Sequence, residues 1–291
     1  MELGGKTLFI TGGSRGIGLA LALRAARDGA NVVIAAKTAE THPKLPGTIY
    51  TAADEIRAAG GQALPIVMDV RDEAAVQRAV DATVDRFGGI DICVNNASAI
   101  NLTRTEAIEL ARFDLIQAVN VRGTFVTSRA CLPHLRRASN PHILTFSPPL
   151  DLRPAWFAAH LPYTLSKYGM SMCVLGLAHE LLADGIACNA LWPRTTVATA
   201  AVELALGGED MLQRSRRPEI MADAAYIMLT QPARNYTGRF MLDDDVLHEA
   251  GVTDFEPYRY DATSPLLADI FVDPAADAPP GVVVTGYAEG A

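Results

Sequence analysis

The chain has 291 residues, of which 49% are hydrophobic, and carries a formal net charge of −8 with a pI near 5.3. That apolar share is enough for a sizeable core, whereas the negative balance repels polyanions and excludes nucleic acid as a general partner. No apolar segment reaches transmembrane length, and the only apolar run near the N-terminus is too short for a signal peptide, so a cytoplasmic protein with no membrane span is expected.

The predicted elements alternate. Leu8-Phe9-Ile10 is a short apolar strand, followed by the turn Thr11-Gly12-Gly13-Ser14-Arg15-Gly16-Ile17-Gly18 and a helix opening at Leu19. Glycine suits such a turn, because without a Cβ the backbone can bend sharply and let a pyrophosphate approach the helix N-terminus. Asn31 to Ala36 is a continuous apolar run of the kind found in buried parallel strands. A long polar loop from Lys37 to Gly47 follows, at a strand's C-terminal end, where ligands bind in open α/β sheets.

A helix ending at Ala59 stops at Gly60-Gly61, and Ala63 to Met68 is the third strand. Arg71 to Phe87 has apolar residues on one helical face, and Asp91 to Val94 is the fourth strand, leading into Asn95-Asn96-Ala97. A long helix from Phe113 to Arg136 carries Asn120; Ile143 to Phe146 is the fifth strand, and Tyr163 to Leu182 a helix. Ile186 to Leu191 is a strand, Pro218 to Thr230 a helix, and the last strand lies near Arg239 to Leu242. Past Asp245 the pattern weakens, and from Asp273 the composition turns to Pro, Ala, Gly and Asp, so a flexible end is expected. Cys93, Cys131, Cys173 and Cys188 are scattered through apolar runs with no paired spacing, which reads as reduced core cysteines; no metal site is expected.

The glycine-rich turn, Asp69-Val70, Asn95-Asn96-Ala97, Asn120 and the pair Tyr163-x-x-x-Lys167 occur in the order found in the short-chain dehydrogenase/reductase family, which this chain resembles. Wider stretches, among them FSPPLDL, YTLSKYGMSMCVLG and NALWPRT, resemble its hydroxysteroid-dehydrogenase-like branch, and the sterol-carrier domain of the animal members is not expected here. The resemblance implies one doubly wound α/β sheet of Rossmann type with helices on both faces. Residues 1–245 would be the NADP-binding catalytic domain and 246–291 a C-terminal extension. It further implies a homo-oligomer, dimer or tetramer, built on the helices of Asn120 and Tyr163, and a small carbonyl or alcohol substrate.

Where NAD-binding sites of this fold place an acidic side chain after the second strand, this chain has Ala36-Lys37. Lys37 and Arg15 would flank a 2′-phosphate, favouring NADP(H) over NAD(H), with His42 and Lys44 as further loop cations; solvated surface charge is the alternative. By resemblance, Gly12, Gly13, Ser14, Arg15, Gly16, Ile17 and Gly18 hold the pyrophosphate. Asp69, Val70, Asn95, Ala97, Pro193 and Thr195 contact the rest of the nucleotide. Asp69 could equally cap the helix that follows it.

Tyr163 and Lys167, four residues apart, share a helical face, so that an ammonium sits near a phenol and favours its ionised form. By resemblance Tyr163 transfers the proton and Lys167 lowers its pKa and holds the nicotinamide ribose; Asn120 supports a water-linked proton path and Ser147 orients the substrate oxygen. Two departures stand out: Arg194 replaces the family's usual glycine, and Ser147 precedes Tyr163 by more residues than in most relatives. That longer loop carries Leu150, Leu152, Trp156 and Phe157, expected either to wall an apolar, lipid-like substrate pocket or to pack beneath the loop, with residues 196–211 as a lid. The expected activity is NADP(H)-dependent interconversion of an alcohol and a ketone or aldehyde. The alternatives are an NAD-dependent dehydrogenase of the same fold and a non-catalytic nucleotide-binding accessory protein of lipid metabolism.

Overall fold

A computed structural model describes residues 2–41, 47–203 and 208–286. The expected alternation is present as β1 (Thr7–Thr11), α1 (Gly16–Ala26), β2 (Asn31–Ala36), α2 (Ile49–Ala58), β3 (Gln62–Val67), α3 (Glu73–Phe87) and β4 (Ile92–Asn95). The second half runs through α4 (Leu110–Ile116), α5 (Gly123–Leu135), β5 (His142–Thr145), a short α6 (Ala155–Ala158), α7 (Leu161–Glu180) and β6 (Ala187–Trp192). Then come α8 (Ala200–Val202), α9 (Gly208–Gln213), α10 (Glu219–Leu229), β7 (Phe240–Leu242) and α11 (Asp243–Glu249), and lastly a small ribbon of β8 (Leu266–Leu267) and β9 (Val284–Thr285).

β3-β2-β1-β4-β5-β6-β7 form one parallel sheet, the doubly wound Rossmann order. The apolar runs are continuous because both faces are covered. Leu8, Ile10, Val32, Ile34, Ile92 and Val94 pack beneath α1, α2 and α10, while their neighbours Phe9, Val33, Ala35 and Cys93 face α3, α5 and α7. Strand order reverses between β1 and β4, which opens a crevice at their C-terminal ends.

The long helix expected over 113–136 is interrupted. Residues 117–122 form a wide π turn between α4 and α5, and Asn120 sits in it, fully buried. The cap of α3 is Asp72, which accepts from the Ala75 N–H, so Asp69 is not the helix cap. The four cysteines are free, three of them buried, and among the described residues no helix is long and apolar enough to cross a membrane. His42 and Lys44 lie outside the described residues, as do residues 204–207 of the expected lid.

Residues after 245 continue from α11 back across the molecule. They are drawn there by Arg194, whose guanidinium is buried and donates to Asp244 at 2.7 Å, to Asp245 at 2.6 Å and to the Asp277 carbonyl. Arg216 reaches the other Asp244 oxygen at 2.8 Å, and the Arg194 backbone N–H donates to Asp243. Burial, with the adjacent Asp244 carboxylate, pushes the Asp243 carboxyl up to about 7. An arginine instead of glycine after Pro193 thus locks the β6 loop to the start of α11.

Removing one partner of a buried pair leaves an uncompensated charge, so Asp244→Ala is expected to destabilise the fold by about 3–5 kcal/mol. Asp245→Ala, whose carboxylate is 38% exposed, is expected to cost clearly less. Urea unfolding of both variants checks the order, and equal, small losses would refute it.

Candidate active site

One cavity of about 650 Å³ occupies the crevice. It begins at the β1–α1 turn, lined by Gly12, Ser14, Arg15, Gly16 and Ile17, passes Lys37, Asp69 and Val70 on one side and Ala97 on the other, and ends at Tyr163, Lys167 and Pro193. These expected residues are brought together. Gly13, Gly18, Asn95, Asn120, Ser147 and Thr195 are not on its wall.

Glycines let the turn pack closely against the loop after β4. Gly12 has φ +67°, and a Cβ there would come 2.9 Å from the Ala97 Cα; a Cβ on Gly18 would come 2.5 Å from the Asn96 amide nitrogen. Asn96 braces the turn by donating to the carbonyls of Thr11 and Gly12. The Arg15 side chain does not cap α1, and no acidic residue occupies its first turn, so its leading N–H groups are left for an anion. A pyrophosphate therefore fits this end of the cavity.

Next to the turn, Arg15 donates to the Gly47 carbonyl at 2.9 Å, and Lys37, 64% exposed, lies 3.6 Å from Asp69. Asp69 is clamped by Arg71 at 2.6 Å, whose hydrogen bonds hold its carboxyl at about 2, so it is ionised.

At the other end, Tyr163 and Lys167 stand one turn apart on α7 and both line the cavity. Lys167 Nζ donates to the Phe146 carbonyl at 2.9 Å and meets Met170 Sδ at 3.6 Å and the face of Trp192 at 5.0 Å. Burial pushes its amine down to about 7. Asn120 accepts from the Ala99 N–H and donates to the Ala99 carbonyl and to Ser166 Oγ, so its side chain fastens the β4 loop to α7 and is spent on protein partners. Asn95 likewise donates to Ser128 and Thr145 behind the wall.

The expectation for Ser147 needs correction. Its N–H turns back to the Thr145 carbonyl, and the Pro148 carbonyl is anchored by Ser171 on α7, so Phe146 lines the cavity and Ser147 is buried beside it. Its hydroxyl has no partner among the described residues. Thr195 is buried too, in an antiparallel bridge with Ala268.

Nor do the aromatics of the 148–162 loop wall the cavity. Leu152 is exposed, while Leu150, Trp156 and Phe157 pack on a cluster of Tyr163, Tyr168, Trp192 and Phe271, and Trp156 is pinned by donating to Asp151 at 2.7 Å. The apolar wall includes instead Ile100, Leu115, Val119, Trp192 and Ile270, and Val197 and residues 199–202 also line the cavity. Thr199 Cγ2 would lie 3.3 Å from a Cβ on Gly16, so the first part of the expected lid already stands over that turn.

Sequence reasoning missed Asp269 and Ile270 on the wall and Phe271 behind Tyr163. The available signal was the apolar run Leu266-Leu267-Ala268-Asp269-Ile270-Phe271-Val272, an unusual stretch for a tail and interrupted by a single charge.

A model of the short chain dehydrogenase family matches residues 6–206. Hydroxysteroid dehydrogenase-like protein 2 of Danio rerio is 57% identical over 272 residues, 94% of this chain and 65% of that protein, and the Homo sapiens protein of the same name is 53% identical over 94% of this chain. This chain thus spans between 52% and 66% of the length of these curated relatives. A crystal structure of a short chain dehydrogenase from Mycobacterium thermoresistibile is 58% identical, covers 98% of this chain and 100% of its own, and superposes with a TM-score of 0.90. The sheet order, the glycine turn at its crevice and these likenesses place the chain in the short-chain dehydrogenase family of oxidoreductases, whose fold carries a nicotinamide nucleotide.

Proposed function

We propose that the protein uses NADP(H) to interconvert an alcohol and a ketone or aldehyde on an apolar, lipid-like substrate. The observation that carries this reading is one continuous cavity lined by Arg15 of the glycine turn and by Lys37 after β2, and also by Tyr163 and Lys167. When bound, the nucleotide supplies or accepts the hydride.

Arg15 and Lys37 recognise the 2′-phosphate, the leading N–H groups of α1 bind the pyrophosphate, and Val70 and Ala97 enclose the adenosine half. Lys167 holds the ribose next to the reacting ring, and Pro193, fixed through Arg194, closes the wall there. Tyr163 delivers its phenolic proton to the nascent alkoxide of a carbonyl substrate, or takes it back from an alcohol, and an ammonium on Lys167 stabilises the phenolate left behind. Asn120 acts by positioning, since it ties the β4 loop to the helix that carries Tyr163. Apolar side chains around the reaction end favour a hydrocarbon substrate and exclude water.

One observation favours the accessory, non-catalytic reading: Ser147 does not reach the cavity, so no serine after β5 orients a substrate oxygen. Activity of Tyr163→Phe decides. Its turnover is expected to fall by about 10²–10⁴-fold with NADPH affinity retained, because only the proton donor is lost. If the variant works normally, the acid lies elsewhere.

Lys37→Asp is expected to weaken NADPH at least about tenfold more than NADH in a fluorescence titration, since a repelling carboxylate replaces a phosphate partner. Equal losses for both would overturn the 2′-phosphate assignment of Lys37.

Phe125 on α5 and Leu165, Met172 and Leu175 on α7 are about half exposed. We assign these faces to a homo-oligomer of dimer or tetramer size. Light scattering is expected to give that mass, and Met172→Arg to shift it toward the monomer; a monomeric wild type would refute the assignment.

A further inference from the structure

The segment from Leu266 to Val272 carries a group that the proposed reaction does not yet use. Its course is set by the backbone: Ala268 bridges to Thr195, and the Asp269 N–H donates to the Arg194 carbonyl at 2.9 Å. This brings Asp269 to the cavity wall that Lys167, Trp192 and Ile270 also line, and of the two carboxylates on that wall the other, Asp69, is already paired with Arg71 and Lys37.

Phe271 holds the segment there. Its ring lies near parallel to Tyr163 at 6.3 Å and packs against Tyr168 at 5.3 Å, Trp192 at 6.0 Å and Trp156 at 6.4 Å. Among the described residues it alone, apart from glycines, has a positive φ, +73°. Such a conformation is strained for a bulky residue and persists only where the surroundings over-determine it.

The contacts of the Lys167 amine are neutral: a carbonyl, a thioether and an indole face. The titratable groups around it are Tyr163 on its own helix and Asp269 from the C-terminal segment; Asp243, at the start of α11, acts in turn on Asp269.

We propose that Asp269 is the counter-ion of Lys167, a positioning residue that keeps the ammonium charged next to Tyr163. The charges work in opposite directions. Burial pushes the Lys167 amine down to about 7, and the Asp269 carboxylate pulls it back up. Burial likewise raises the Asp269 carboxyl well above the ordinary carboxylate range, with the Ile270 N–H, Lys167 and the Trp192 indole acting against it. The pair therefore has two forms with the same number of protons, ammonium with carboxylate or amine with carboxylic acid. Only the first can stabilise a phenolate, so this inference deepens the proposed role of Tyr163 and Lys167 and rests on it.

The test needs a direct view of Lys167. The chain has four lysines, Lys6, Lys37, Lys44 and Lys167, so full-length protein labelled with ¹³C at the lysine ε-carbon gives few resonances, and Lys167→Met identifies the one in question. In Asp269→Asn the Lys167 midpoint is expected to fall by about one pH unit or more, the size typical of losing an opposite charge nearby. Asp269→Glu is expected to restore it, and Asp269→Ser serves as a second neutral replacement if the first does not fold. For carbonyl reduction the neutral variants should lose kcat at a lower pH than wild type, with KM little changed and melting curves superimposable. An unchanged Lys167 midpoint in a folded neutral variant overturns the proposal. Because the titration is read on the free protein, it stands whether or not Tyr163→Phe bears out the proton-donor reading.

Discussion

A guanidinium taken out of water must find acceptors for its whole fork, and in this molecule that requirement shapes the reaction end of the cavity. Arg194 satisfies it with Asp244, Asp245 and the Asp277 carbonyl, while its own carbonyl receives the Asp269 N–H. Three stretches distant in the chain, the β6 loop, the start of α11 and the C-terminal segment, are thereby held around one side chain. Pro193 and Ile270 take their places on the wall as a result. A glycine at this position would leave Asp244 with Arg216 alone.

The half of the cavity that holds the glycine turn was legible in the sequence because it is local. The turn from Gly12 to Ile17 lies between a strand and a helix that periodicity reveals, and Lys37 and Asp69 end the next two strands, so sheet order alone brings them to one crevice. Tyr163 and Lys167 were legible for the same reason, since helical spacing fixes their common face. Asn96 was visible within its motif, but its part in bracing the glycine turn depends on a close approach that spacing cannot convey.

What the sequence hid depends on packing between remote segments. Ser147 ends a predicted strand, yet a single backbone turn and the Ser171 anchor decide which of two neighbouring residues meets the cavity. Trp156 and Phe157 read as a pocket wall by their chemistry; they support Phe271 instead, because the C-terminal segment slots between them and the reacting end. The helix interruption at Asn120 is likewise silent in the apolar periodicity, as a π turn inserts width without changing which residues are apolar.

The dependence of the reaction end on residues 269–271 also orders events during synthesis. Chains emerge N-terminus first, and the strands β1 to β7 are all made by residue 242, so sheet and glycine turn can assemble on a nascent chain while the segment that seats Phe271 on Tyr163 is still within the ribosome. Such a chain would own a nucleotide crevice whose amine and phenol face open water. The crevice at the glycine turn is thus complete in outline before residues 269–271 can dock, and a chain halted shortly before residue 269 would keep that crevice without the wall that Asp269 and Ile270 supply.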